Sequence, residues 1–191
     1  MNQDEYFSVH AGLTINVEPL PEQFELPDDL TFIREIPPLF RVASECSELE
    51  HNAEKVLQQE SKNMNRTLLD YLAAQNHKIN LLLSFVLAQQ DDPAFRQITQ
   101  TFGASQLTYI SGQPLNAGSP VRLKLFLENP PAAVYCYASV QNCQPVGDDH
   151  FEVTLHYTRL QEEDRDLLIR AALHIQQKLL RQRAMQRNDN Q

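Results

Sequence analysis

Histidines, cysteines and paired carboxylates are the residue types in this sequence that could carry out chemistry. The chain has six histidines and three cysteines, but no H-E-x-x-H, no C-x-x-C and no close Cys/His cluster, so their spacing predicts no metal site. No G-x-S-x-G elbow, Walker loop or dinucleotide fingerprint is present. The acid pairs Asp148–Asp149 and Glu162–Glu163 fit a turn and a helix start. The sequence therefore predicts no catalytic residue, no metal and no cofactor.

The charge balance of the chain narrows the classes of partner. Its 191 residues include 25 acidic and 16 basic side chains, for a formal net charge of −9. Because nucleic acids and anionic membranes attract basic surfaces, this balance argues against both as main partner. No apolar run approaches the roughly 20 residues of a membrane span, and Cys46, Cys136 and Cys143 are unclustered. We expect a reduced protein of the cytoplasm.

Strand-like segments lie towards both ends of the sequence. In residues 6–17 apolar and polar residues alternate on either side of Gly12, which indicates a strand with a bulge or bend. Alternation recurs in residues 121–127 and 151–157, and residues 133–140 form a β-branched and aromatic run. Short strands at this spacing predict an antiparallel sheet or small barrel.

A proline-rich segment and a long helical segment separate these strands. Residues 18–40 contain five of the 11 prolines and are interpreted as an extended connector. Residues 42–92 contain no glycine or proline and predict an unbroken helix of roughly 75 Å. Such a helix projects from a small domain and needs a partner for its apolar face. A second helix is predicted for residues 161–187, with an acidic first turn and basic last turns.

The apolar face of the long helix has the spacing of a coiled coil. Its apolar positions follow steps of three and four residues, with heptads at both ends and consecutive fours in the middle. We predict self-association through this face. The alternatives are a helix packed on its own domain, or a chain that folds back near Asn63 and Asn65. The predicted seam comprises Leu49, Val56, Met64, Leu68, Leu72, Ile79, Leu82 and Val86.

The order of these segments resembles a PilZ domain, a small β-barrel known as a receptor for cyclic di-GMP. The stretch "EYFSVHAGLTINV" resembles the family's first strand, and "TFGASQLTYISGQPLNAGSPVRLKLFL" resembles the turn and strands that follow. The stretch "HFEVTLHYTRLQEEDRDLLIRAALHIQQKLLRQR" resembles the closing strand and terminal helix. The inserted helix is similar to that of an unusual PilZ subtype, which assembles as tetramers through helix bundles.

The resemblance implies an α+β, mainly β fold. This fold is a small antiparallel barrel with a long inserted coiled-coil helix and a C-terminal helix. The first strand and connector would occupy residues 1–40, the oligomerisation helix 41–92, the remaining barrel 93–160 and the last helix 161–187.

The family's ligand-binding positions carry other residue types in this chain. The two arginines of the family's R-x-x-x-R motif fall on Asp4 and Ser8, and its D-x-S-x-x-G turn falls on Thr101, Gly103 and Gln106. Losing two arginines and a carboxylate removes roughly 5 kcal/mol or more, a factor of several thousand in affinity. We therefore expect no binding of cyclic di-GMP in the usual way, while Gly103 and Ser105 preserve the turn that the backbone still needs.

We interpret the chain as a non-enzymatic adaptor, a dimer or tetramer that presents several barrels to a protein partner. The setting comes from the resemblance alone: bacterial cyclic di-GMP signalling that controls motility, biofilm or type IV pili. One alternative is a cyclic di-GMP receptor with a non-standard or inter-subunit site, for which Arg122 and Lys124 are candidates, although we place them on a solvated outer face. The other is a structural coiled-coil interaction module.

Overall fold

The computed structural model of the chain describes residues 8–60, 66–147 and 149–188. Residues singled out in the sequence that lie outside this range are Asp4, Asn63, Met64, Asn65 and Asp148. The elements in chain order are β1 (Ser8–His10), β2 (Thr14–Pro19), α1 (Asp29–Glu35), α2 (Pro38–Glu60), α3 (Arg66–Ala88), β3 (Arg96–Gly103), β4 (Gln106–Ser111), β5 (Pro120–Glu128), β6 (Pro131–Gly147), β7 (His150–Arg159) and α4 (Glu162–Asn188).

The strands form a closed antiparallel barrel, as the sequence predicts. Around the barrel the order is β2, β5, β6, β7, β4 and β3, and β3 pairs with β2 to close it. Strand β1 adds a further antiparallel pairing to β3. Helix α4 covers one opening of the barrel, because its residues Leu167, Leu168, Ala171 and Ala172 belong to the barrel core.

The first strand is bent at Gly12, as predicted, so that β1 and β2 pair with successive parts of β3. Thr99 bridges the bend: its Oγ1 accepts from Leu13 N at 2.8 Å and donates to Ala11 O at 2.6 Å. A Cβ on Gly12 would lie 3.2 Å from Ile98 Cγ2, which explains why a residue without a side chain lies here.

Residues 131–138 of strand β6 are buried on both faces, which explains the continuous apolar run of this segment. One face points into the barrel with Ala132, Val134, Cys136, Ala138 and Val140. On the other face lie Ala133, Tyr135 and Tyr137, which form a second, outer core with α1, α2, α3 and the segments around them. Those elements contribute Phe32, Ile36, Phe40, Ala43 and Leu87.

The prediction of one unbroken helix over residues 42–92 is wrong. Asn80 Nδ2 of α3 donates to Glu50 Oε1 of α2 at 3.3 Å, whereas one continuous helix would hold these residues about 45 Å apart. Phe40 near the start of α2 and Leu87 near the end of α3 also share the outer core. The two helices therefore form an antiparallel hairpin, which is the fold-back alternative.

The connector also differs from the extended segment expected. It contains α1, whose N-cap is Asp28, with the carboxylate accepting from Thr31 N at 2.8 Å. The predicted C-terminal helix is confirmed by α4. None of the described helices is long and apolar enough to cross a membrane.

Candidate functional site

The family's ligand positions that the structure describes come together around the β3–β4 hairpin. Ser8 pairs with Gly103 across β1 and β3, and Gln106 begins β4 on the other side of the turn. Thr101 Oγ1 lies 2.8 Å from Thr108 Oγ1, so the two hydroxyls share a hydrogen bond. Gly103 is the last residue of β3 and not a turn residue, which corrects the role expected for it.

The turn between β3 and β4 is held by the protein itself. Arg165 Nη1 of α4 donates to Ala104 O at 2.7 Å, and Tyr157 N donates to Ser105 O at 2.9 Å. Arg165 also lies 3.5 Å from the carboxylate of Glu162. The guanidinium beside this turn thus binds backbone and carboxylate oxygens of its own chain.

These ligand positions carry no formal charge on any described side chain. Ser8, Thr101 and Gln106 can exchange single hydrogen bonds, but they cannot neutralise a phosphate as an arginine fork does. The described residues at these positions therefore lack the charged groups that phosphate binding needs.

The two candidate cations of a substitute site are engaged within the chain. Arg122 Nη1 donates to Glu18 Oε2 at 3.0 Å, and the guanidinium lies 5.9 Å from the ring centroid of Tyr137. Lys124 Nζ donates to Gln90 O at 3.2 Å. Both side chains are half-buried rather than on a solvated outer face. A ligand at this surface would have to displace these internal partners.

A tyrosine cluster that the sequence analysis missed attaches α1 to the outer face of the barrel. Tyr137 Oη donates to Glu35 Oε2 at 2.5 Å, and Tyr135 Oη lies 3.3 Å from Tyr137 Oη and 3.5 Å from the same carboxylate oxygen. Burial, and the hydrogen bond to Glu35, raise the pKa of Tyr137. Phe32 packs at 6.0 Å from both tyrosine rings. Because a neutral tyrosine can donate to Glu35, the raised pKa favours this attachment.

The α2–α3 hairpin carries a wide exposed apolar face, which we call the hairpin surface. Leu49 and Leu82 of the predicted seam are 69% and 66% exposed, and Val86 is half-buried. Large apolar side chains of this size are rarely left in solvent in such numbers. The exposed residues of the hairpin surface are Leu49, Val56, Leu68, Tyr71, Leu72, Ile79, Leu81, Leu82 and Phe85. Tyr71, Leu81 and Phe85 were not in the predicted seam, because they lie off its heptad steps.

A cavity of about 430 Å³ lies between α2 and the start of α4. Its wall includes Asp164, which is almost fully buried and whose Oδ1 accepts from Ser44 Oγ at 3.3 Å. Burial raises the pKa of Asp164 from 3.8 to about 6. Charges of both signs line the cavity, among them Arg41, Glu163 and Arg170. This mixture identifies no ligand class.

The described residues give no evidence for a metal site or for a reactive thiol. Within residues 8–60, 66–147 and 149–188, no three His, Cys, Asp or Glu residues are grouped to hold a metal ion. Cys46, Cys136 and Cys143 are free thiols, and burial raises the pKa of Cys136. A buried thiol of high pKa is a poor nucleophile and behaves as a small apolar group.

Comparisons with known proteins identify the fold. No protein-family model and no curated protein sequence matches the chain. Among solved structures, the chain is similar to a Xanthomonas campestris protein described as a tetrameric PilZ domain self-assembled via an unusual helical bundle. The TM-score is 0.57 and the identity 13%, over 91% of this chain and 89% of that one. The chain therefore has a PilZ-type fold, which confirms the fold that the sequence resemblance predicts.

A second solved structure is the Bacillus subtilis inhibitor of motility MotI/DgrA. It aligns with a TM-score of 0.48 and 11% identity, over 93% of this chain. The chain spans about half of that protein's length, since the alignment covers 53% of it.

Proposed function

We propose that this protein is a non-enzymatic, oligomeric adaptor of bacterial cyclic di-GMP signalling. Copies associate through the hairpin surface and present several barrels to a protein partner in the cytoplasm. The barrel serves as a scaffold and does not bind cyclic di-GMP through the family's usual positions. Motility, biofilm formation or type IV pilus control would be the process regulated.

The exposed apolar face of the hairpin is the observation that carries this proposal. The outer core already attaches one side of the α2–α3 hairpin to the barrel through Phe40, Ala43 and Leu87, so the hairpin surface is apolar area beyond what folding buries. Burying it between copies gains about 25 cal/mol for each Å². The PilZ domain of Xanthomonas campestris is tetrameric through a helical bundle, which supports an analogous use of helices in this chain.

The chemistry of the ligand positions supports the second part of the proposal. Ser8 and Thr101 replace charged residues of the family motifs, Gln106 replaces the motif's glycine, and Arg122 and Lys124 are engaged internally. No observation on the described residues favours a receptor with a substitute site. We expect calorimetric titration with cyclic di-GMP to give no binding heat. Micromolar affinity would instead favour the receptor alternative.

The association is tested by placing charges in the hairpin surface. In the variant L68E/L72E, two carboxylates would be buried between copies, which strongly disfavours the contact. We expect wild-type protein to sediment as an oligomer and L68E/L72E at a clearly lower mass, with an unchanged circular dichroism spectrum.

The matched control uses the same helix and the same four-residue spacing. Ala73 and His77 are exposed in α3 and lie outside the hairpin surface. The variant A73E/H77E adds the same acidic side chains, and we expect it to keep the wild-type mass. Equal masses for wild type and L68E/L72E would show that this face does not mediate association.

A further inference from the structure

The end of α4 is a basic and apolar helix on an acidic protein. We call residues 173–186 the α4 arm. Between Asp166 and Asp189 the sequence has no acidic residue, while the arm carries Lys178, Arg181 and Arg183. The remainder of the chain is therefore more acidic than the net charge of −9 indicates.

The α4 arm exposes an apolar stripe between its cations. Leu173 and Leu180 are seven residues apart, so they lie on the same side of the helix, and both are exposed. Arg181 and Arg183 lie on opposite sides of this stripe at 100° per residue. The arm contributes only Ile175 and Leu179 to the margin of the barrel core (the two are partly buried there). The rest of the arm is available to a partner.

A surface of complementary character lies on the connector and α1, and we call it the acidic patch. Residues 22–29 include four acidic side chains and no basic one. Leu26, Leu30 and Ile33 are exposed beside them, and Leu30 is 71% exposed. Asp28 caps α1 and Asp29 pairs with Arg159, so the patch that a partner can use comprises Glu22, Glu25, Leu26, Leu30 and Ile33.

The acidic patch and the α4 arm border opposite ends of strand β5. The chain enters the patch beside the first residue of β5, because Leu20 N donates to Pro120 O at 3.0 Å. Lys178 of the arm lines a cavity together with Asn129 and Pro130, just beyond the last residue of β5. Strand β5 has nine residues and spans about 30 Å. This separation favours a contact between two copies over one within a single chain.

We propose that the α4 arm of one copy docks on the acidic patch of a second copy. The leucine stripe would cover Leu26, Leu30 and Ile33, and the arginines would face Glu22 and Glu25. Because the two surfaces differ, the contact can close as a two-fold dimer with two reciprocal arm–patch contacts, or link copies head-to-tail into a ring or an open chain. It is separate from the hairpin surface and goes beyond the proposed function.

Reciprocal charge reversal tests this contact. R181E/R183E makes the arm acidic, and E22K/E25K makes the patch basic. Each variant is made in the L68E/L72E background, so that association through the hairpin surface does not obscure the result. Sedimentation velocity over a concentration series at low ionic strength is the measurement, because charge steering weakens with salt.

The parent protein should show concentration-dependent association. Each charge variant should raise the dissociation constant by about tenfold or more. Mixing the two variants should restore association, since the acidic arm then meets a basic patch. The chain that carries all four reversals should also associate, and R181K/R183K should behave as the parent.

Three results would overturn the proposal. If R181E/R183E associates with the same dissociation constant as the parent, the arm is not part of the contact. Association lost in both variants but not restored by mixing or by the fourfold reversal excludes the pairing. If the parent stays monomeric but co-sediments with phosphatidylserine vesicles, the arm binds a membrane instead of a second copy. A wild type with the same mass as L68E/L72E, together with an arm contact that responds to the charge variants, would refute the hairpin assembly alone.

Discussion

Replacing Asp164 with asparagine should remove a specific pH dependence of stability. The Asp164 carboxyl is 5% exposed and accepts a hydrogen bond from Ser44. Its pKa is raised from 3.8 to about 6, chiefly by burial. The folded protein therefore binds this proton more tightly than the unfolded chain does.

The sign and size of the effect follow from this difference in pKa. A raised carboxyl pKa contributes stability that is complete below about pH 4 and is lost as the pH rises through about 6. A difference of about two pKa units corresponds to about 3 kcal/mol in the free energy of unfolding. D164N keeps the shape and a hydrogen-bonding oxygen without the ionisation, so it should be more stable than wild type at neutral pH by up to about 3 kcal/mol.

Urea denaturation near pH 4 and near pH 7.5 measures the effect. Protein concentration is held constant, because self-association adds to apparent stability. The stability difference between D164N and wild type should be near zero in acid and large at neutral pH. D166N, an exposed carboxyl of the same helix, serves as the control and should show little change. An equal difference at both pH values would refute the argument that buried charge at Asp164 destabilises the neutral protein.

Two further pairs of substitutions test the packing of α1 and of the barrel. Tyr137→Phe removes the donor to Glu35 at 2.5 Å and should lower the free energy of unfolding by about 1.5–3 kcal/mol, the value of a hydrogen bond to a charged group. Tyr135→Phe, whose hydroxyl is 3.5 Å from the same oxygen, should cost less, and the reverse order in urea denaturation would contradict this assignment. Leu107→Ala in the barrel core should cost about 2–5 kcal/mol. Leu30→Ala on the surface should stay within about 0.5 kcal/mol, and similar thermal shifts for both would count against the burial described.

The barrel strands could be predicted from local sequence, because alternation depends only on neighbouring residues. Val121, Leu123 and Leu125 alternate with half-buried residues in β5, as their spacing indicates. Gly12 likewise marks the bend between β1 and β2. Helix α1 was not predicted, because it lies in a proline-rich segment. The Asp28–Thr31 cap is a sequence signal that could have located it.

The hairpin could not be separated from a long helix by spacing alone. Apolar steps of three and four residues serve a helix that pairs with another copy and one that folds back equally well. The contact between Glu50 and Asn80 distinguishes the hairpin from one long helix, and it joins residues 30 positions apart. Met64, at the centre of the predicted seam, lies outside the described residues.

The candidate site could be predicted from the sequence only in part. Resemblance gave the positions Ser8, Thr101, Gly103 and Gln106, and strand pairing places them around one turn. The engagement of Arg122 depends on Glu18, which is 104 residues earlier in the chain. No local sequence pattern can predict a contact between residues so far apart in the chain.

The α2–α3 hairpin has a consequence for how the barrel closes as the chain is synthesised. Strand β2 emerges early, yet its partner β5 follows more than a hundred residues later. Closing so long a loop costs entropy and slows folding. The hairpin can form from its own contacts beforehand, and it brings the start of α2 close to the end of α3, since Phe40 and Leu87 share one core. The folded hairpin then shortens the effective loop that must close before β2 can pair with β5. Weakening the hairpin would therefore delay barrel closure.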